Sequence, residues 1–457
     1  MRYIPHTDEE IAAMLATIGV ESIEDLFESI PFHLRQKAQE MSLQEPMGEI
    51  ALTRHLEELA GGNKVSGSQI DALLGAGCYN HVVPQALNQL LLRAEFLTSY
   101  TPYQPEISQG TTKAIFEFQS MISEVLGMPI ANASMYDGAH AAAEAALMAQ
   151  RSTRRTQVLV ASSVHPEYRQ VIQTYLRAQG DVYREFGFQE ETGQVSLADV
   201  EAQVDDPKEV ACIIYQTPNF FGIFEEPEEI IAWAKEQKIL VVATFNEPHA
   251  FGVARPPGLD GVDICAGEAM GFGIGQAFGG PALGVFAARE KHLRTMPGRL
   301  AGQTVDSLGR EGYVLTLSTR EQHIRREKAT SNICTNQGLM ALAAAIYLSL
   351  MGKEGFRELG ELNMARARFA LQHMEHLGLG TPYFKGPFFN EFVLQLPCKA
   401  RTLIDRCLDQ DVICGYDLGF LNPRWENLLL VAVTEMTSKA RILHVAETMS
   451  KAIKTLA

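Results

Sequence analysis

From residue 66 onward, short apolar runs alternate with longer amphipathic stretches. The apolar runs are nearly continuous and rich in Val and Ile: Gln157–Ala161, Val210–Tyr215, Ile239–Ala243, Asp263–Cys265 and Leu283–Ala287. Strands of this kind, separated by helices, are typical of a parallel sheet that is covered on both faces. The pattern predicts an α/β fold, with a mostly parallel sheet in a large domain over residues 66–334.

The segments on either side of this domain have different patterns. Residues 1–65 show helical periodicity with little strand pattern, and Thr7 followed by Glu10 matches a capping box. After residue 335 a second set of apolar runs appears: Glu391–Gln395, Val412–Cys414 and Leu428–Val433. We therefore predict an N-terminal helical arm over 1–65 and a smaller C-terminal α/β domain over 335–457.

The most apolar stretch of the chain is Leu339–Met351, which lies between Gly338 and Gly352. A membrane-spanning helix needs about 20 residues, and this stretch is shorter. We interpret it as a buried helix, so no membrane association is expected.

The 457 residues include 39 Lys+Arg and 55 Asp+Glu, a net charge of −16. This balance disfavours nucleic-acid partners and an anionic-membrane anchor, because both need concentrated positive charge. The seven cysteines are scattered without a C-x-x-C pair, so they are expected to be reduced thiols. The N-terminus becomes acidic at Asp8–Glu10, where a signal peptide would become apolar. These features together predict a cytoplasmic protein.

Common catalytic motifs are absent from the sequence. The run Gly271–Gln276 fails the dinucleotide fingerprint, and no Walker, H-E-x-x-H or G-x-S-x-G motif occurs. The twelve histidines are dispersed. We interpret each of them, His140 and His249 included, as structural, and no metal site is predicted.

Two polar segments could instead bind a ligand. Residues 99–110 combine tyrosines, hydroxyls and amides with two prolines, which suits recognition of a small polar molecule but equally a plain turn. Residues 322–332 combine cations with hydroxyls and an amide, which suits binding of phosphate or carboxylate but equally a solvated helix end. Composition alone does not separate these alternatives.

Four runs of the sequence resemble the glycine cleavage system P-protein, and more narrowly subunit 1 of its split form. They are Gly75–His81, Tyr100–Gly110, Ala131–Gly138 and Arg325–Asn336. The resemblance extends from the N-terminal arm to the C-terminal helix. It implies a fold-type I pyridoxal-phosphate transferase, aspartate aminotransferase-like, with a seven-stranded sheet in the large domain.

The same resemblance implies an activity and partners. The P-protein decarboxylates glycine on pyridoxal phosphate and transfers the aminomethyl group to the lipoyl arm of H-protein, as a glycine dehydrogenase (aminomethyl-transferring). In the split form, subunit 2, the beta chain, carries the cofactor lysine. The expected partners are therefore this second subunit, lipoylated H-protein and the substrate glycine.

Within this resemblance, three features of an active cofactor site are missing. No lysine occurs between Lys238 and Lys291, where the Schiff-base lysine is expected. Asn246 stands where an acid normally faces the pyridine nitrogen, unless Glu247 takes that place. Asp137 would cap the helix amides that bind a phosphate, and it would repel the phosphate charge. Asn219 matches a ring-contacting loop of active relatives, but we interpret it as structural here. The resemblance thus implies a vestigial site at Asp137, Asn219 and Asn246, with pyridoxal phosphate bound by the partner.

We also expect contributions across the subunit interface. The segment near residue 100 is predicted to line the partner's substrate pocket, through Tyr100, Thr101, Tyr103 and Gln104. The segment near residue 330 is predicted to approach the partner's cofactor phosphate, through Thr330, Ser331 and Asn332. For Arg325 and Arg326 we favour pairing within the interface over attraction of the acidic lipoyl carrier.

Two alternatives stay open at this point. The chain could be a stand-alone homodimeric pyridoxal-dependent lyase or aminotransferase that uses a lysine from elsewhere, such as Lys291 or Lys328. It could also be a purely structural partner that stabilises subunit 2 without entering its pocket.

Overall fold

The computed structural model describes residues 6–39, 42, 44–64, 66, 68–97 and 100–456, and it divides into two compact units, 1–64 and 65–457. The first unit contains helices α1 (Asp8–Ile18), α2 (Phe32–Gln39) and α3 (Glu49–Gly61). The predicted capping box is confirmed at α1, where Glu10 N donates to Thr7 Oγ1 and Thr7 N donates to Glu10 Oε2. The predicted limit of the arm, residue 65, lies outside the described residues.

The second unit contains the remaining elements. Its helices are α4 (Gln85–Leu91), α5 (Ala94–Leu97), α6 (Gln109–Leu126), α7 (Gly138–Thr153), α8 (Pro166–Gln179), α9 (Leu197–Glu201), α10 (Glu228–Glu236), α11 (Pro257–Asp260), α12 (Gln322–Arg325), α13 (Gly338–His376), α14 (Ala400–Leu408) and α15 (Lys439–Leu456). Its strands are β1 (Asp71–Ala72), β2 (Ile130–Ala131), β3 (Gln157–Ala161), β4 (Val182–Phe186), β5 (Val210–Gln216), β6 (Leu240–Phe245), β7 (Ile264–Glu268), β8 (Gly284–Ala288), β9 (Leu300–Val305), β10 (Glu311–Thr316), β11 (Thr381–Pro382), β12 (Glu391–Gln395), β13 (Val412–Ile413), β14 (Tyr416–Asp417) and β15 (Leu428–Ala432).

A seven-stranded sheet organises the large domain, in the order β2-β8-β7-β6-β5-β3-β4. Strands β3 to β7 pair in parallel, and β8 runs antiparallel to β7. Every residue of β3, β5, β6, β7 and β8 is buried, because helices cover both faces of the sheet. The predicted mostly parallel sheet is confirmed.

A second, antiparallel sheet lies toward the C-terminus, in the order β11-β12-β15-β14. Its inner face forms a separate apolar core with α14, α15 and the end of α13. The parallel pair β1-β13 connects the segment near residue 71 to this region.

Helix α13 contributes to both cores. Its first part places Ala341, Ala343–Ala345 and Tyr347 in the core of the large sheet, whereas Ala367, Ala370 and Met374 pack in the C-terminal core. The helix is long and apolar enough to cross a membrane by length and composition alone. Gly352, however, has φ 59° and ψ −178° and interrupts the helix, so the apolar part before it is too short for a span. The sequence-based interpretation as a core helix agrees with this packing.

The carboxyl ends of β6 and β7 meet the N-terminus of α7 at one edge of the large sheet. Gly138, the first residue of α7, approaches its neighbours so closely that a Cβ atom would fall 1.9 Å from Tyr168 OH. Only glycine fits at this position. Ligands of open α/β sheets bind at such an edge, outside the carboxyl ends of the strands.

Candidate functional site

A small cleft opens at the carboxyl ends of β6 and β7. The residues that line it are Gly77, Tyr79, His81, Asn246, Glu247, Glu268, Met270 and Gly271. This is the position at which the resemblance places the cofactor of active relatives. The donors and acceptors around it therefore decide whether pyridoxal phosphate fits this chain.

Two carboxylates occupy the N-terminus of α7. Asp137 is its N-cap, and its Oδ1 accepts from His140 N at 2.8 Å, which confirms the predicted capping. Glu268, at the end of β7, accepts from Gly138 N through Oε2 at 3.0 Å. A cofactor phosphate needs such amides free, because the helix dipole and the first N–H groups provide its binding energy.

Glu268 is also engaged on its other oxygen. Oε1 accepts from three main-chain amides, those of Ala269, Met270 and Leu283, at 2.7–3.1 Å. Burial raises the pKa of Glu268, while the hydrogen bonds from the amides oppose that rise. The carboxyl group thus closes the turn after β7 against the start of α7, and the position does not fit a phosphate dianion.

Asn246 follows β6 directly and is 7% exposed. Its Oδ1 has no hydrogen-bond partner among the described residues, and Tyr168 OH lies beside the same side chain. An amide carries no charge that would hold a proton on a pyridine nitrogen. This position therefore does not provide the acid that the cofactor ring requires.

The turn after β7 leaves no room for an anchoring side chain at Gly271. A Cβ there would meet His249 Cε1 at 2.9 Å and His81 Cδ2 at 3.3 Å. The segment 269–283 contains no lysine. Taken together, the residues of this site do not fit pyridoxal phosphate bound by this chain.

A buried polar cluster of histidines and carboxylates lies beside the cleft. His81 Nε2 lies 2.7 Å from Glu247 Oε2, and His81 Nδ1 lies 2.9 Å from Glu435 Oε2. His249 Nδ1 lies 2.9 Å from Glu247 Oε1, and its Nε2 lies 3.0 Å from Tyr347 OH. The cluster joins the loop before α4, the end of β6, helix α13 and the segment after β15.

The charges of this cluster depend on one another. Burial would lower the pKa of His81, but the carboxylates of Glu247 and Glu435 outweigh burial and raise it to about 10. Burial likewise would raise the pKa of Glu435, yet contact with His81 lowers it to about 2. Burial lowers the pKa of His249, and the charge on His81 adds to this effect. His81 is thus the cation of the cluster and His249 is neutral at pH 7.

A second buried carboxyl lies close by. Glu391, at the start of β12, accepts from Ala76 N and from Tyr79 OH, both at 2.7 Å. Burial raises the pKa of Glu391 to about 7, against the opposing effect of these donors. The contact fixes the loop 75–79 to the C-terminal sheet.

Asn219 lies away from the cleft, in the loop after β5. Its Nδ2 donates to Gly193 O and Glu225 Oε1, both at 2.8 Å, and its Oδ1 accepts from Phe221 N and Ile223 N. All of its hydrogen-bonding groups hold the loop together. The interpretation of Asn219 as structural agrees with these contacts.

The segment near residue 100 is divided between surface and interior. Tyr100 and Tyr103 are 71% and 76% exposed, with their ring centroids 6.3 Å apart, and Gln104 is also exposed. Thr101, in contrast, is buried, and its Oγ1 accepts from the Arg299 guanidinium. Thr101 anchors the loop, so three of the four predicted residues are presented to the surroundings.

The segment near residue 330 borders a larger cleft of about 600 Å³ beside α7 and α8. Thr330, Ser331 and Asn332 lie along one wall of it, and Asn332 is exposed. Ser331 Oγ donates to the buried Glu144 Oε1 at 2.7 Å and accepts from Ile333 N at 3.1 Å. The chain then continues to Asn336 and Gly338, which line a small cleft with Tyr100 and Thr101.

The two lysines considered for a stand-alone enzyme lie elsewhere. Lys291 Nζ pairs with Asp263 Oδ1 at 2.8 Å, at the amino end of β7 rather than its carboxyl end. Lys328 is exposed in the segment after α12. Arg325 and Arg326 are also exposed in that region, and Arg326 lines the larger cleft.

Several residues of the site were not predicted from the sequence, namely Glu268, His81, Glu435, Tyr168 and Glu391. His81 belongs to a run that carries the family resemblance, but nothing in its spacing indicated a cluster. Asn246 directly follows β6 and Glu435 lies three residues after β15, so polar residues near strand ends were the one available signal.

Comparison with known proteins agrees with these observations. The family model described as "Glycine cleavage system P-protein" matches residues 1–449. A "Probable glycine dehydrogenase (decarboxylating) subunit 1" of Geobacillus kaustophilus (strain HTA426) is 47% identical over 441 residues, covering 96% of this chain and 97% of that protein. A protein of the same description from Moorella thermoacetica is 47% identical over 442 residues, covering 97% of each chain.

Solved structures extend the comparison to the fold. A crystal structure of glycine decarboxylase (P-protein) of the glycine cleavage system, in inhibitor-bound form, has a TM-score of 0.89 and 39% identity, covering 99% of this chain and 100% of that one. The sphingosine-1-phosphate lyase of Burkholderia pseudomallei K96243 has a TM-score of 0.66 and 15% identity, covering 91% and 94%, and shows the fold alone. The predicted fold-type I architecture is confirmed.

Proposed function

Because this chain belongs to the glycine cleavage system P-protein family, we propose that it is the cofactor-free subunit of a two-subunit glycine decarboxylase. Its partner, a second subunit with a cofactor lysine, binds pyridoxal phosphate. The pair decarboxylates glycine and passes the aminomethyl group to the lipoyl arm of H-protein. The name that the relatives carry, subunit 1, supports a heteromeric enzyme.

One observation carries the proposal: carboxylates occupy the place of a cofactor phosphate. Asp137 and Glu268 accept from the first amides of α7, and a dianion beside them would be repelled. A fold-type I chain without this anion site, without a lysine after β7 and with Asn246 as its ring partner has no site for the cofactor. The chain nevertheless keeps the whole fold of a glycine decarboxylase, with a TM-score of 0.89, and this supports a role in a shared active site.

The exposed aromatic loop supports such a role. Tyr100, Tyr103 and Gln104 are presented to the surroundings, while Thr101 is fixed from below by Arg299. Exposed tyrosines on a fixed loop suit an interface, because they bury large area at a low cost in side-chain entropy. We assign these residues to the partner's substrate pocket, where glycine binds.

The segment 330–332 is assigned to the partner's cofactor phosphate. Its hydroxyls and amide are chemically suited to phosphate oxygens. Arg326 on the same wall adds a positive charge to the cleft. The single hydroxyl proton of Ser331 is donated to Glu144, so Ser331 orients the segment while Thr330 and Asn332 supply the donors to the phosphate.

The test compares the chain alone with the chain in its complex. Pyridoxal phosphate is added to each, the visible spectrum is recorded, and the adduct is reduced with borohydride and located by peptide mass spectrometry. We expect no aldimine band for this chain alone and one reduced adduct on the partner's lysine in the complex.

A specific adduct on a lysine of this chain would overturn the proposal and favour the stand-alone enzyme. Lys291→Met and Lys328→Met are the matching control variants, because these two lysines are the candidates for the Schiff-base lysine of a stand-alone enzyme. Under the proposal neither substitution alters the band of the complex.

A further inference from the structure

The buried cluster next to the cleft has the composition of a metal site. We propose that His81, Glu247 and His249 bind one divalent transition-metal ion, for which zinc is the best match. The inference concerns this chain's own residues and does not depend on the cofactor of the partner.

The three side chains converge on a small volume. Their ligand atoms, one on each residue, lie within 4.8 Å of one another, and all three residues are buried. Two imidazole nitrogens and one carboxylate are a donor set that zinc prefers, and the same set occurs in catalytic zinc sites that keep a fourth position for water.

The surrounding contacts orient each ligand as a metal site requires. The outer nitrogen of His81, Nδ1, lies 2.9 Å from Glu435 Oε2, and the outer nitrogen of His249, Nε2, lies 3.0 Å from Tyr347 OH. Asn390 Nδ2 donates to Glu247 Oε2 at 3.0 Å. Metal-bound imidazoles almost always have such a partner on the second nitrogen, because it fixes the tautomer and the ring direction.

Charge balance favours a divalent cation in this position. Glu247 and Glu435 bring two negative charges into the interior, and they lie beside two imidazoles. Arg366 is near, but its guanidinium donates to the main-chain oxygens of Glu435 and Thr437 rather than to the carboxylate. In the metal-free cluster the charge on His81 balances one of the two carboxylates; a divalent ion would displace that proton and balance both carboxylates with the imidazoles neutral.

The ligands need only a small adjustment. The nitrogen–oxygen distances to Glu247 are 2.7 and 2.9 Å, while ligand atoms around tetrahedral zinc lie roughly 3.3 Å apart. The carboxylate must therefore move by about half an ångström. The cleft that His81 and Glu247 line has a volume of about 10 Å³, close to that of one water, and it also holds Asn246, whose Oδ1 lacks a partner among the described residues. A metal-bound water in the cleft would have an acceptor there.

Metal content of the unmodified full chain is the first test. The chain is treated with a chelator, dialysed, reconstituted with Zn²⁺ and analysed by inductively coupled plasma mass spectrometry. We expect about one zinc per chain to survive a second dialysis. Reconstitution with Co²⁺ should give the intense visible bands of a four-coordinate ion.

Variants then locate the site. His249→Gln removes a ligand and should lower the affinity for Zn²⁺ by at least roughly 100-fold. The matched control is His140→Gln, since His140 is also buried and bonds Tyr175 OH at 2.8 Å but lies outside the cluster. Circular dichroism and gel filtration show whether both variants fold.

Three outcomes would overturn the proposal. One is an unmodified chain that retains only trace zinc. Another is a cobalt spectrum that stays that of the hexaaqua ion. The third is a folded His249→Gln variant that binds zinc as tightly as the His140→Gln control. Should His249→Gln fail to fold, the cobalt spectrum of the unmodified chain decides the question by itself.

Discussion

The carboxylate of Glu268 and the amide of Gly138 form a hydrogen bond of 3.0 Å that closes the N-terminus of α7. At the helix end where the resemblance places a cofactor phosphate, a carboxyl group of the chain itself accepts from the first main-chain amide. The bond joins residues 130 positions apart in the chain, so it holds the turn after β7 against α7. Loss of this contact should therefore lower the free energy of unfolding of the chain.

Replacing Glu268 by Ala should destabilise the chain strongly. The substitution leaves three main-chain amides without an acceptor, those of Gly138, Met270 and Leu283, whereas Ala269 N keeps its bond to Leu283 O. Since buried unpaired donors are costly, we expect a loss of about 3–5 kcal/mol in the free energy of unfolding. Glu268→Gln keeps an acceptor oxygen and should lose about 1–2 kcal/mol. Guanidinium denaturation of the three proteins measures this, and equal midpoints would contradict the assigned role.

Glu391 should make stability fall as the pH rises. Its folded-state pKa of about 7 exceeds the ordinary value of 4.5 because the carboxyl is buried. The folded state thus binds the extra proton, and its stabilisation is complete below pH 4.5 and lost as the pH rises through 7. Glu391→Gln cannot ionise, so its stability relative to the unmodified chain should increase by about 2–3 kcal/mol between pH 4.5 and 8.

Urea denaturation at a series of pH values measures this difference. Glu426→Gln is a suitable control, because that side chain is exposed and pairs with Lys399 at the surface. Parallel pH profiles for Glu391→Gln and the unmodified chain would show that the folded-state pKa of Glu391 is not raised above its ordinary value.

Much of the fold follows from the sequence because the large sheet is buried on both faces. Strands β3 and β12 begin and end where the apolar runs do, and the helix break at Gly352 coincides with the predicted end of the apolar stretch. Strand β4 was not predicted, since it is an edge strand with Arg184 and Glu185 half-exposed or exposed. The hairpin β9–β10 was missed for a similar reason, because Gln303–Val305 are exposed polar or isolated apolar residues.

The candidate site was predictable only in part. The missing lysine and the cap at Asp137 are local features that a sequence displays directly. Contacts such as His81 with Glu435 are not, because the two residues are 354 positions apart and meet only when the C-terminal sheet packs against the loop 75–84. Long-range polar pairing depends on the tertiary fold, which spacing does not encode.

Ser331→Ala tests the wall of the larger cleft. The variant removes the donor to the buried Glu144 carboxylate and the acceptor of Ile333 N, so we expect a loss of about 1–2 kcal/mol in unfolding free energy. If the bond to Glu144 orients the segment 330–332 toward the partner's cofactor phosphate, its loss should make the complex bind pyridoxal phosphate about five- to tenfold more weakly. Ser120→Ala is the control, since Ser120 is exposed and its hydroxyl donates only to Phe116 O within the same helix. Unchanged cofactor affinity in a folded complex would confine Ser331 to a structural role.

Tyr103 separates a shared active site from a purely structural partner. The side chain is 76% exposed, so Tyr103→Ala should leave the stability of this subunit within about 0.5 kcal/mol of the unmodified chain. If the ring lines the partner's substrate pocket, glycine decarboxylation by the intact complex should fall by about 10- to 100-fold, because misplacement of a bound substrate costs rate. Gel filtration establishes that the complex forms, and release of carbon dioxide from labelled glycine gives the turnover. Phe420→Ala serves as the matched control, as an exposed aromatic of the C-terminal domain. Full turnover in an intact Tyr103→Ala complex would assign the subunit to stabilisation of its partner alone.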